Sequence, residues 1–140
     1  MTAYTHKVQY YETDKMGITH HANYLHWMEE ARVALLEKIG WGYDRLEALG
    51  VSSPVIGLSC DYKASTTFGD EVEIEASIRE YKGVHLVVAY TMCRLRDGKT
   101  VLEGTSRHCF LDQNGKFLRL AKVLPEFDAA LKAMAAQHAQ

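Results

Sequence analysis

The 140-residue chain lacks any concentration of positive charge. It carries 16 lysines and arginines against 18 aspartates and glutamates, which gives a formal net charge of −2, and it has no block of like charge. Nucleic-acid binding requires a concentrated basic face. The charge balance therefore argues against a nucleic-acid partner.

Long hydrophobic runs are also missing. No stretch approaches the roughly 20 apolar residues of a membrane-spanning helix, and the N-terminal sequence MTAYTHKVQYYE lacks the apolar core of a signal peptide. We therefore expect no membrane insertion and a cytoplasmic location. Cysteine is sparse: Cys60, Cys93 and Cys109 lie far apart in apolar, strand-like runs. This spacing predicts reduced thiols with structural roles.

Glycine-rich phosphate-binding motifs are absent as well. None of the ten glycines forms a fingerprint after a strand, which excludes Rossmann and P-loop nucleotide sites. What is present is an ordinary globular composition, 47% hydrophobic and 24% charged. The length suits one domain, over residues 1–140.

One long amphipathic helix is predicted from Ala22 to about Lys38. Its apolar stripe consists of Tyr24, Met28, Ala31, Leu35 and Ile39. These positions recur at steps of three and four, which is typical of one buried helical face. Charged residues, Arg32 among them, fall mostly off the stripe. Residues 5–12 before it read as a strand that the polar sequence TDKMG interrupts.

Residues 55–112 are strand-like almost throughout. The runs are VIGLSCDYKAS, DEVEIEASIRE, VHLVVAYTMCRL and TVLEGTSRHCFLD, with turn signals such as Asp97-Gly98 between them. The second run alternates strictly, as a half-buried strand does. Pro125 opens a terminal helix. Without β-α-β alternation, the order predicts an α+β fold, a five-stranded antiparallel sheet wrapped around one long helix.

The segment between the first strand and the long helix carries the candidate chemistry. Asp14 lies in the polar break, and Gly17 permits a tight backbone turn. The first N–H groups of a helix lack intrahelical partners and lie at the positive end of its dipole. A carboxylate beside such donors suits acyl transfer, because it can attack or activate water while the donors hold an oxyanion. Alternatively, Asp14 only caps the helix, a role that Thr19 could fill instead.

A metal site is a further alternative, because two adjacent histidines follow two acids in this segment. Adjacent residues of an extended segment point in opposite directions, so His20 and His21 do not readily reach one ion. His26 has the wrong spacing to share a helix face with His21. The sequence therefore predicts no metal and no cofactor.

The pattern Y-x-E-T-D-x-x-G-I-x-x-H-x-N-Y-x-x-W, from Tyr10 to Trp27, resembles the signature of the hotdog-fold acyl-CoA thioesterases. It is most similar to the branch that contains 4-hydroxybenzoyl-CoA thioesterase and the Tol-Pal-associated thioesterases. The sequences DYKASTTFGDEVEIEASI and GKTVLEGTSRHCFLD resemble later strands of that family. The resemblance therefore covers nearly the whole chain and implies a hotdog fold.

The resemblance also implies an activity, hydrolysis of an acyl-CoA to a free acid and CoA. It makes Asp14 the catalytic carboxylate, either as general base or as nucleophile. The backbone N–H of His21 becomes the donor to the thioester carbonyl, and its side chain would orient water or Asp14 or bind the substrate. Tyr10, placed on the same side of the first strand as Asp14, would line the pocket, and Gly17 and Tyr24 complete the expected substrate site.

Self-association is a further implication of the resemblance. Family members pair their sheets edge to edge, so we expect a homodimer or homotetramer with the acyl group between the long helix and the partner's strands. The two-faced apolar strand 84–95 could serve such an interface. Lys63, Lys82 and Arg107 are candidates for contacts with the CoA phosphates.

Two other functions are alternatives on the same fold. One is a non-catalytic module that binds acyl-CoA, although binding alone needs no carboxylate such as Asp14. The other is a hydratase or dehydratase with an acid–base pair in the helix. The predicted helix offers only Glu29 and Glu30 for that chemistry, both off the buried stripe.

Overall fold

A computed structural model describes residues 2–138, which form a five-stranded antiparallel sheet with one long helix against it. The strands are β1 (Thr2–Lys7), β2 (Val55–Tyr62), β3 (Glu71–Tyr81), β4 (His85–Arg94) and β5 (Lys99–Cys109). The helices are α1 (Asn23–Lys38), α2 (Tyr43–Ala48), α3 (Leu120–Val123) and α4 (Pro125–His138). The sheet order is β1-β3-β4-β5-β2. The predicted α+β class is confirmed.

The inner face of the sheet follows from the side-chain alternation of its central strands. In β3, Val72, Ile74, Ala76 and Ile78 are all buried, as the strict alternation predicted. In β4 every second residue from Leu86 onwards is buried, and those between are half-buried. Only one face of this strand, predicted as apolar on both faces, therefore lies in the core.

The helix α1 packs on this inner face through the predicted stripe. Tyr24, Met28, Ala31 and Leu35 are buried, and the helix ends just before Gly40, whose φ of 84° suits a residue without a side chain. Arg32, expected off the stripe, is in fact buried. Its Nε–H donates to the Tyr43 hydroxyl at 2.8 Å. This hydrogen bond to the neutral Tyr43 hydroxyl offsets part of the cost of burying the Arg32 guanidinium.

The first strand is shorter than predicted, since β1 ends at Lys7 and residues 10–12 form one turn of 3₁₀ helix. The chain leaves the sheet because the Glu12 carboxylate accepts the Gln9 N–H at 2.8 Å, which favours a turn over a continued ladder. The prediction that Tyr10 shares one side of a strand with Asp14 is therefore wrong. The Tyr10 side chain is 77% exposed.

The stretch from residue 41 to 54, expected to be only polar, contains the short helix α2 and contributes to the core. Trp41, Leu46 and Val51 are buried there. The Trp41 ring stacks on Phe127 of α4, with centroids 5.1 Å apart, so the terminal helix that begins at Pro125 docks on this stretch. Neither α2 nor α3 is long enough to show a period in the sequence. No helix within residues 2–138 is long and apolar enough to cross a membrane.

Strand β2 forms one edge of the sheet, and β5 is its one partner strand in the part of the chain that the structure describes. Four of its large apolar side chains, Val55, Ile56, Leu58 and Tyr62, are at least 42% exposed. An edge strand also presents N–H and C=O groups without a partner strand. This edge lies next to α1, since Cys60 of β2 contacts Met28 of the helix.

All three cysteines are free thiols. Cys109 is buried, whereas Cys60 and Cys93 are half-buried. The prediction of reduced thiols with structural roles agrees with these positions within the sheet.

Candidate functional site

The loop between β1 and α1 is a small hairpin that presents Asp14. An isolated bridge pairs Thr13 with Thr19. Inside it, the Asp14 N–H donates to the Ile18 carbonyl at 2.9 Å, and the Gly17 N–H donates to the Asp14 carbonyl at 2.9 Å. Gly17 has a φ of 79°, so a side chain here would strain the turn. The loop is therefore a hydrogen-bonded turn with a defined shape.

The segment that follows β2 fastens this loop from the other side. The Thr19 N–H donates to the Thr66 carbonyl at 2.9 Å, and the Thr67 hydroxyl donates to the Gly17 carbonyl at 2.7 Å. Thr19 and Thr66 also share a hydrogen bond of 2.6 Å between their hydroxyls. Because the Thr19 hydroxyl is engaged there, the alternative that Thr19 caps the helix is wrong.

The carboxylate of Asp14 is exposed and only partly engaged. Its Oδ1 accepts the Met16 N–H at 2.8 Å, and no described residue donates a hydrogen bond to Oδ2. The N-cap position of α1 is Ala22, and no side chain among residues 2–138 caps the helix. The alternative that Asp14 serves as the helix cap is therefore wrong. One oxygen shapes the loop, and the other is available to a water or a thioester.

The start of α1 presents a free backbone donor. The first hydrogen bonds run over three residues, from the Asn23 N–H to the His20 carbonyl at 3.0 Å and from the Tyr24 N–H to the His21 carbonyl at 3.3 Å. Within the described part of the chain, nothing accepts a hydrogen bond from the His21 N–H. This donor lies at the positive end of the helix dipole.

The side chain of His21 is exposed and stacks on its neighbour. The His20 and His21 rings lie 4.4 Å apart, and the Tyr62 ring meets His21 edge-on at 6.3 Å. The structure shows no hydrogen bond between the His21 ring and Asp14. Within residues 2–138, no group of three or more His, Cys, Asp or Glu side chains could hold a metal ion.

A cavity of about 270 Å³ opens beside the helix start. It is lined by Ile18, Thr19, His21, Tyr24, Tyr62, Lys63, Ala64 and Ser65. The structure thus brings together three predicted site residues from two separate segments, His21 and Tyr24 at the start of α1 and Lys63 after β2. An exposed lysine, a histidine and two aromatic rings give this cavity a partly apolar wall with one cation at its edge.

Tyr24 lines this cavity with its ring, while its hydroxyl is hydrogen-bonded to another residue. The hydroxyl lies 3.0 Å from the Thr66 Oγ1, and burial raises the pKa of Tyr24. The ring packs edge-on against Tyr62 at 5.5 Å and against Trp27 at 4.6 Å. Tyr24 is therefore a wall of the cavity and not an acid.

Lys82 lies away from this cavity. Lys82 follows β3 at the end of the sheet where Tyr81 pairs with Leu86. Tyr62, which lines the cavity, lies at the other end of the sheet, where it pairs with Leu102. On β4 these two levels correspond to Leu86 and Met92, which are roughly 20 Å apart at 3.3 Å per residue. Lys82 also forms an ion pair with Glu80, with Nζ and Oε1 2.8 Å apart.

Two other predicted residues lie outside the cavity wall. Tyr10 is on the outer side of the loop, and its ring meets Phe68 edge-on at 5.7 Å. Arg107 extends along the sheet over Gly57, where its guanidinium occupies the space that a side chain at position 57 would need. Within one chain, neither residue meets the residues that line the cavity.

Sequence reasoning missed two members of this region. Glu12, considered only as a metal ligand, is 4% exposed and sits under the loop. Tyr62 lies within the family-like sequence of residues 61–78, but nothing in that pattern shows that its ring reaches across to α1. Tyr62 reaches His21 across 41 positions of the chain, which no local spacing reveals. Glu12 finds its partners within 15 positions, but its place in the pattern Y-x-E-T-D does not show that its carboxylate is buried.

Comparison with known proteins assigns this loop, helix and sheet to a family. The family described as the thioesterase-like superfamily matches residues 8–132. The chain belongs to the thioesterase-like superfamily. The matched range includes the Asp14 loop, α1, the cavity wall and strands β2 to β5.

Curated relatives from this superfamily carry thioesterase names. YneP of Bacillus subtilis (strain 168), provisionally named an acyl-CoA thioesterase, is 35% identical over 125 residues, which cover 89% of this chain and 90% of YneP. The acyl-CoA thioesterase YbgC of Haemophilus influenzae is 29% identical over 89 residues, which cover 63% of this chain and 65% of YbgC.

Solved structures show the same architecture. The DHNA-CoA thioesterase of Staphylococcus aureus superimposes with a TM-score of 0.92 at 28% identity, covering 96% of this chain and 91% of that one. The hypothetical protein TT1821 of Thermus thermophilus gives a TM-score of 0.88 at 33% identity, covering 96% and 99%. The predicted hotdog fold is confirmed.

Proposed function

We propose that this protein is an acyl-CoA thioesterase that hydrolyses an acyl-CoA thioester to a free acid and CoA. One observation carries the proposal: Asp14, with a free carboxylate oxygen, lies in the short hairpin closed by Thr13 and Thr19, and the free N–H of His21 follows two residues later at the start of α1. Membership of the thioesterase-like superfamily and the names of the relatives support it.

In this proposal the His21 N–H donates to the thioester carbonyl oxygen and stabilises the negative charge that forms on it. Asp14 takes a proton from a water molecule as the water oxygen bonds to the carbonyl carbon. The tetrahedral intermediate then collapses, the carbon–sulfur bond breaks and CoA leaves as the thiolate. Alternatively, an Asp14 carboxylate oxygen bonds to the carbonyl carbon, the carbon–sulfur bond breaks and CoA leaves as the thiolate; water then hydrolyses the resulting anhydride to the free acid and regenerates Asp14.

The cavity beside His21 is our candidate for the start of the acyl-binding site. The rings of Tyr24 and Tyr62 give it flat apolar walls, and such walls suit a planar acyl group. The likeness to a DHNA-CoA thioesterase points to an aromatic acyl group as well. Lys63 at the cavity edge is our candidate for a CoA phosphate contact.

We infer that the protein works as a homodimer that forms through the edge strand β2 and can pair further into a tetramer. The exposed apolar side chains of β2 and its unpartnered backbone edge support this interface. Strand β4 is paired on both sides, by β3 and β5, so the interface role predicted for strand 84–95 would use its half-buried outer face and not an edge. Three free thiols are consistent with a reducing, cytoplasmic setting.

The alternative functions have less support from the geometry. A hydratase would need an acid–base pair in the helix, but Glu30 accepts the Tyr4 hydroxyl at 2.8 Å and Glu29 lines a different cavity. A module that only binds acyl-CoA would have no use for the exposed carboxylate of Asp14.

The test is Asp14→Asn, with thiol release measured by a chromogenic thiol reagent over short, long and aromatic acyl-CoAs. We expect kcat/KM to fall by about 10²- to 10⁴-fold. The melting temperature should stay unchanged, because the asparagine Oδ1 can still accept the Met16 N–H. Asp112→Asn is the matched control, since Asp112 Oδ1 also shapes a turn by accepting the Asn114 N–H at 2.8 Å.

Three results would overturn the proposal. Near-normal turnover by Asp14→Asn would remove Asp14 from the reaction. Tight acyl-CoA binding by the unmodified protein without thiol release would identify a binding module. An absorbance change with an enoyl-CoA, again without thiol release, would identify a hydratase.

A further inference from the structure

Glu12 is a buried carboxylate directly under the Asp14 loop, and the proposed mechanism does not use it. Only 4% of the residue is exposed. It follows β1 in the chain and precedes Asp14 by two residues. Burying an acid is costly unless its oxygens are hydrogen-bonded, so its partners indicate its role.

Both oxygens of this carboxylate are engaged. Oε1 accepts the Gln9 N–H at 2.8 Å and lies 2.8 Å from the His6 Nε2. Oε2 accepts the Trp27 indole N–H at 2.7 Å. The His6 and Trp27 rings stack at 4.4 Å. The carboxylate therefore ties the end of β1 to the first turns of α1.

The backbone of Glu12 holds the start of the helix directly. Its carbonyl accepts the His20 N–H at 2.9 Å and the Asn23 side-chain amide at 3.0 Å. His20 immediately precedes His21, and Asn23 is the first residue of α1. One residue thus fixes the chain on both sides of the free His21 N–H.

The hydrogen bonds to Glu12 favour its ionised form. Burial on its own raises the pKa of Glu12, but the hydrogen bonds from Gln9, His6 and Trp27 outweigh it and the pKa is lowered. The carboxylate is therefore ionised at neutral pH. Because its oxygens already accept three hydrogen bonds and lie below the surface, it does not face a substrate.

We propose that Glu12 is the positioning residue that sets the separation and relative orientation of the Asp14 carboxylate and the His21 N–H. It does so by bonding β1 and α1 with its side chain and the His20–Asn23 corner with its backbone carbonyl. This inference rests on the proposed thioesterase function, because only that function gives the two groups a shared task.

Glu12→Gln tests the proposal with a side chain of the same size. A glutamine replaces one carboxylate oxygen by an NH₂ group, which donates. The Gln9 and Trp27 N–H groups only donate, so either orientation of the amide deprives one of them of its acceptor. We expect kcat to fall about 10- to 100-fold with KM nearly unchanged, because a small misplacement of catalytic groups slows the chemical step.

Glu30→Gln is the matched control. Glu30 is an acid in the same part of the fold, with Oε2 3.3 Å from the His6 Nδ1, but it makes no hydrogen bond to the loop or to the helix start. We expect its kcat to match that of the unmodified protein. Trp27→Phe provides a second variant, which removes one of the three donors and keeps most of the packing. Its kcat should fall by a smaller factor than that of Glu12→Gln.

A readout that does not need activity separates this inference from the function on which it rests. In ¹H–¹⁵N spectra, the amide resonances of His21 and Asp14 should shift in Glu12→Gln and Trp27→Phe but not in Glu30→Gln. If the unmodified protein releases no thiol from any acyl-CoA, the proposed function fails, and the amide shifts still test whether Glu12 positions these groups.

Two results would overturn the positioning role. One is an unchanged kcat in a Glu12→Gln protein that only melts at a lower temperature, since that describes a purely structural residue. The other is a His21 amide that does not respond to either Glu12→Gln or Trp27→Phe. If Glu12→Gln does not fold, the kcat and the amide shifts of Trp27→Phe decide between the same outcomes.

Discussion

The hydroxyl of Tyr62 donates a 3.3 Å hydrogen bond to the backbone carbonyl of His21. Tyr62 is the last residue of the edge strand β2, and His21 is the residue whose N–H we assign to the thioester. The contact therefore connects the proposed dimer edge with the proposed oxyanion donor. Any shift of the β2 edge would reach the helix start through this pair.

Tyr62→Phe removes this hydrogen bond and keeps the ring that lines the cavity. Because the group is partly exposed, we expect a small loss of stability, about 0.5–1 kcal/mol, and a severalfold lower kcat. Steady-state kinetics and thermal unfolding measure the two effects. Tyr11→Phe is the control, since the Tyr11 side chain is 81% exposed. A kcat equal to that of the control would show that the contact does not matter for turnover.

His21 offers a way to separate the backbone donor from the side chain. His21→Ala keeps the N–H, so we expect kcat within about tenfold of the unmodified enzyme. His21→Pro removes the N–H, and loss of one oxyanion donor costs about 10²- to 10³-fold in kcat. Kinetics together with circular dichroism, to verify folding, check both. Equal losses in the two folded variants would mean that the imidazole, not the N–H, carries the effect.

The proposed dimer predicts that charge on the β2 edge disrupts both assembly and hydrolysis. Leu58→Lys places a cation on an exposed apolar side chain of β2, where a partner strand would have to bury it. We expect a monomer by sedimentation velocity and a loss of thiol release. Leu49→Lys is the control, because both leucines are 49% exposed and Leu49 lies outside β2. A dimer that survives Leu58→Lys would place the interface elsewhere.

A buried polar chain ends at His108, under the same edge of the sheet. Arg32 Nη1 donates to the Tyr90 hydroxyl at 3.0 Å, which lies 2.7 Å from Ser106 Oγ. Ser106 Oγ in turn lies 2.7 Å from His108 Nε2. Because a guanidinium only donates, each hydroxyl can pass its proton onward, and His108 Nε2 becomes the final acceptor. The proton of the neutral imidazole is then on Nδ1.

This buried histidine predicts a loss of stability in mild acid. Burial, reinforced by the charge of Arg32, lowers the pKa of His108 to about 4. An unfolded histidine has a pKa near 6.5, so the unfolded state binds a proton first as the pH falls. The folded state is therefore fully favoured above about pH 6.5. It loses up to roughly 3 kcal/mol of stability as the pH falls to about 4.

Urea unfolding at several pH values between 7 and 4.5 measures this loss. His108→Gln cannot take up a proton, and its free energy of unfolding should change less over the same range. His26→Gln is the control, since His26 is exposed and should leave the slope unaltered. If His108→Gln and the unmodified protein show the same slope, another group is responsible.

Much of the fold could be predicted because its helices and strands show helical or alternating hydrophobic periodicity in the sequence. The stripe of α1 and the alternation of β3 are local patterns that tertiary packing then used unchanged. The end of β1 could not be predicted in this way. Tyr10 continues an acceptable strand pattern, but the chain turns at residues 10–12, where the Glu12 carboxylate accepts the Gln9 N–H and the Thr13 hydroxyl donates to the Tyr10 carbonyl.

Some residues of the candidate site could likewise be predicted from the sequence, and the positions of others could not. The motif from Tyr10 to Trp27 predicts Asp14 and His21 as site residues, and both lie within a few residues of one helix start. It could not show that Lys82 lies at the far end of the sheet. That position depends on the direction and register of β3, which are set by pairing with strands elsewhere in the chain.

The sequence by itself determined the types and order of the main elements, the superfamily motif and the two groups proposed for the chemistry. These depend on residues close together in the chain. Only the tertiary structure decided that β2 is an edge, that Tyr62 reaches His21 and that Glu12 is buried beneath the loop. The first two depend on strand pairing and packing between distant segments, and the burial of Glu12 depends on how the turn at residues 10–12 packs against α1. Local patterns are compatible with more than one such arrangement.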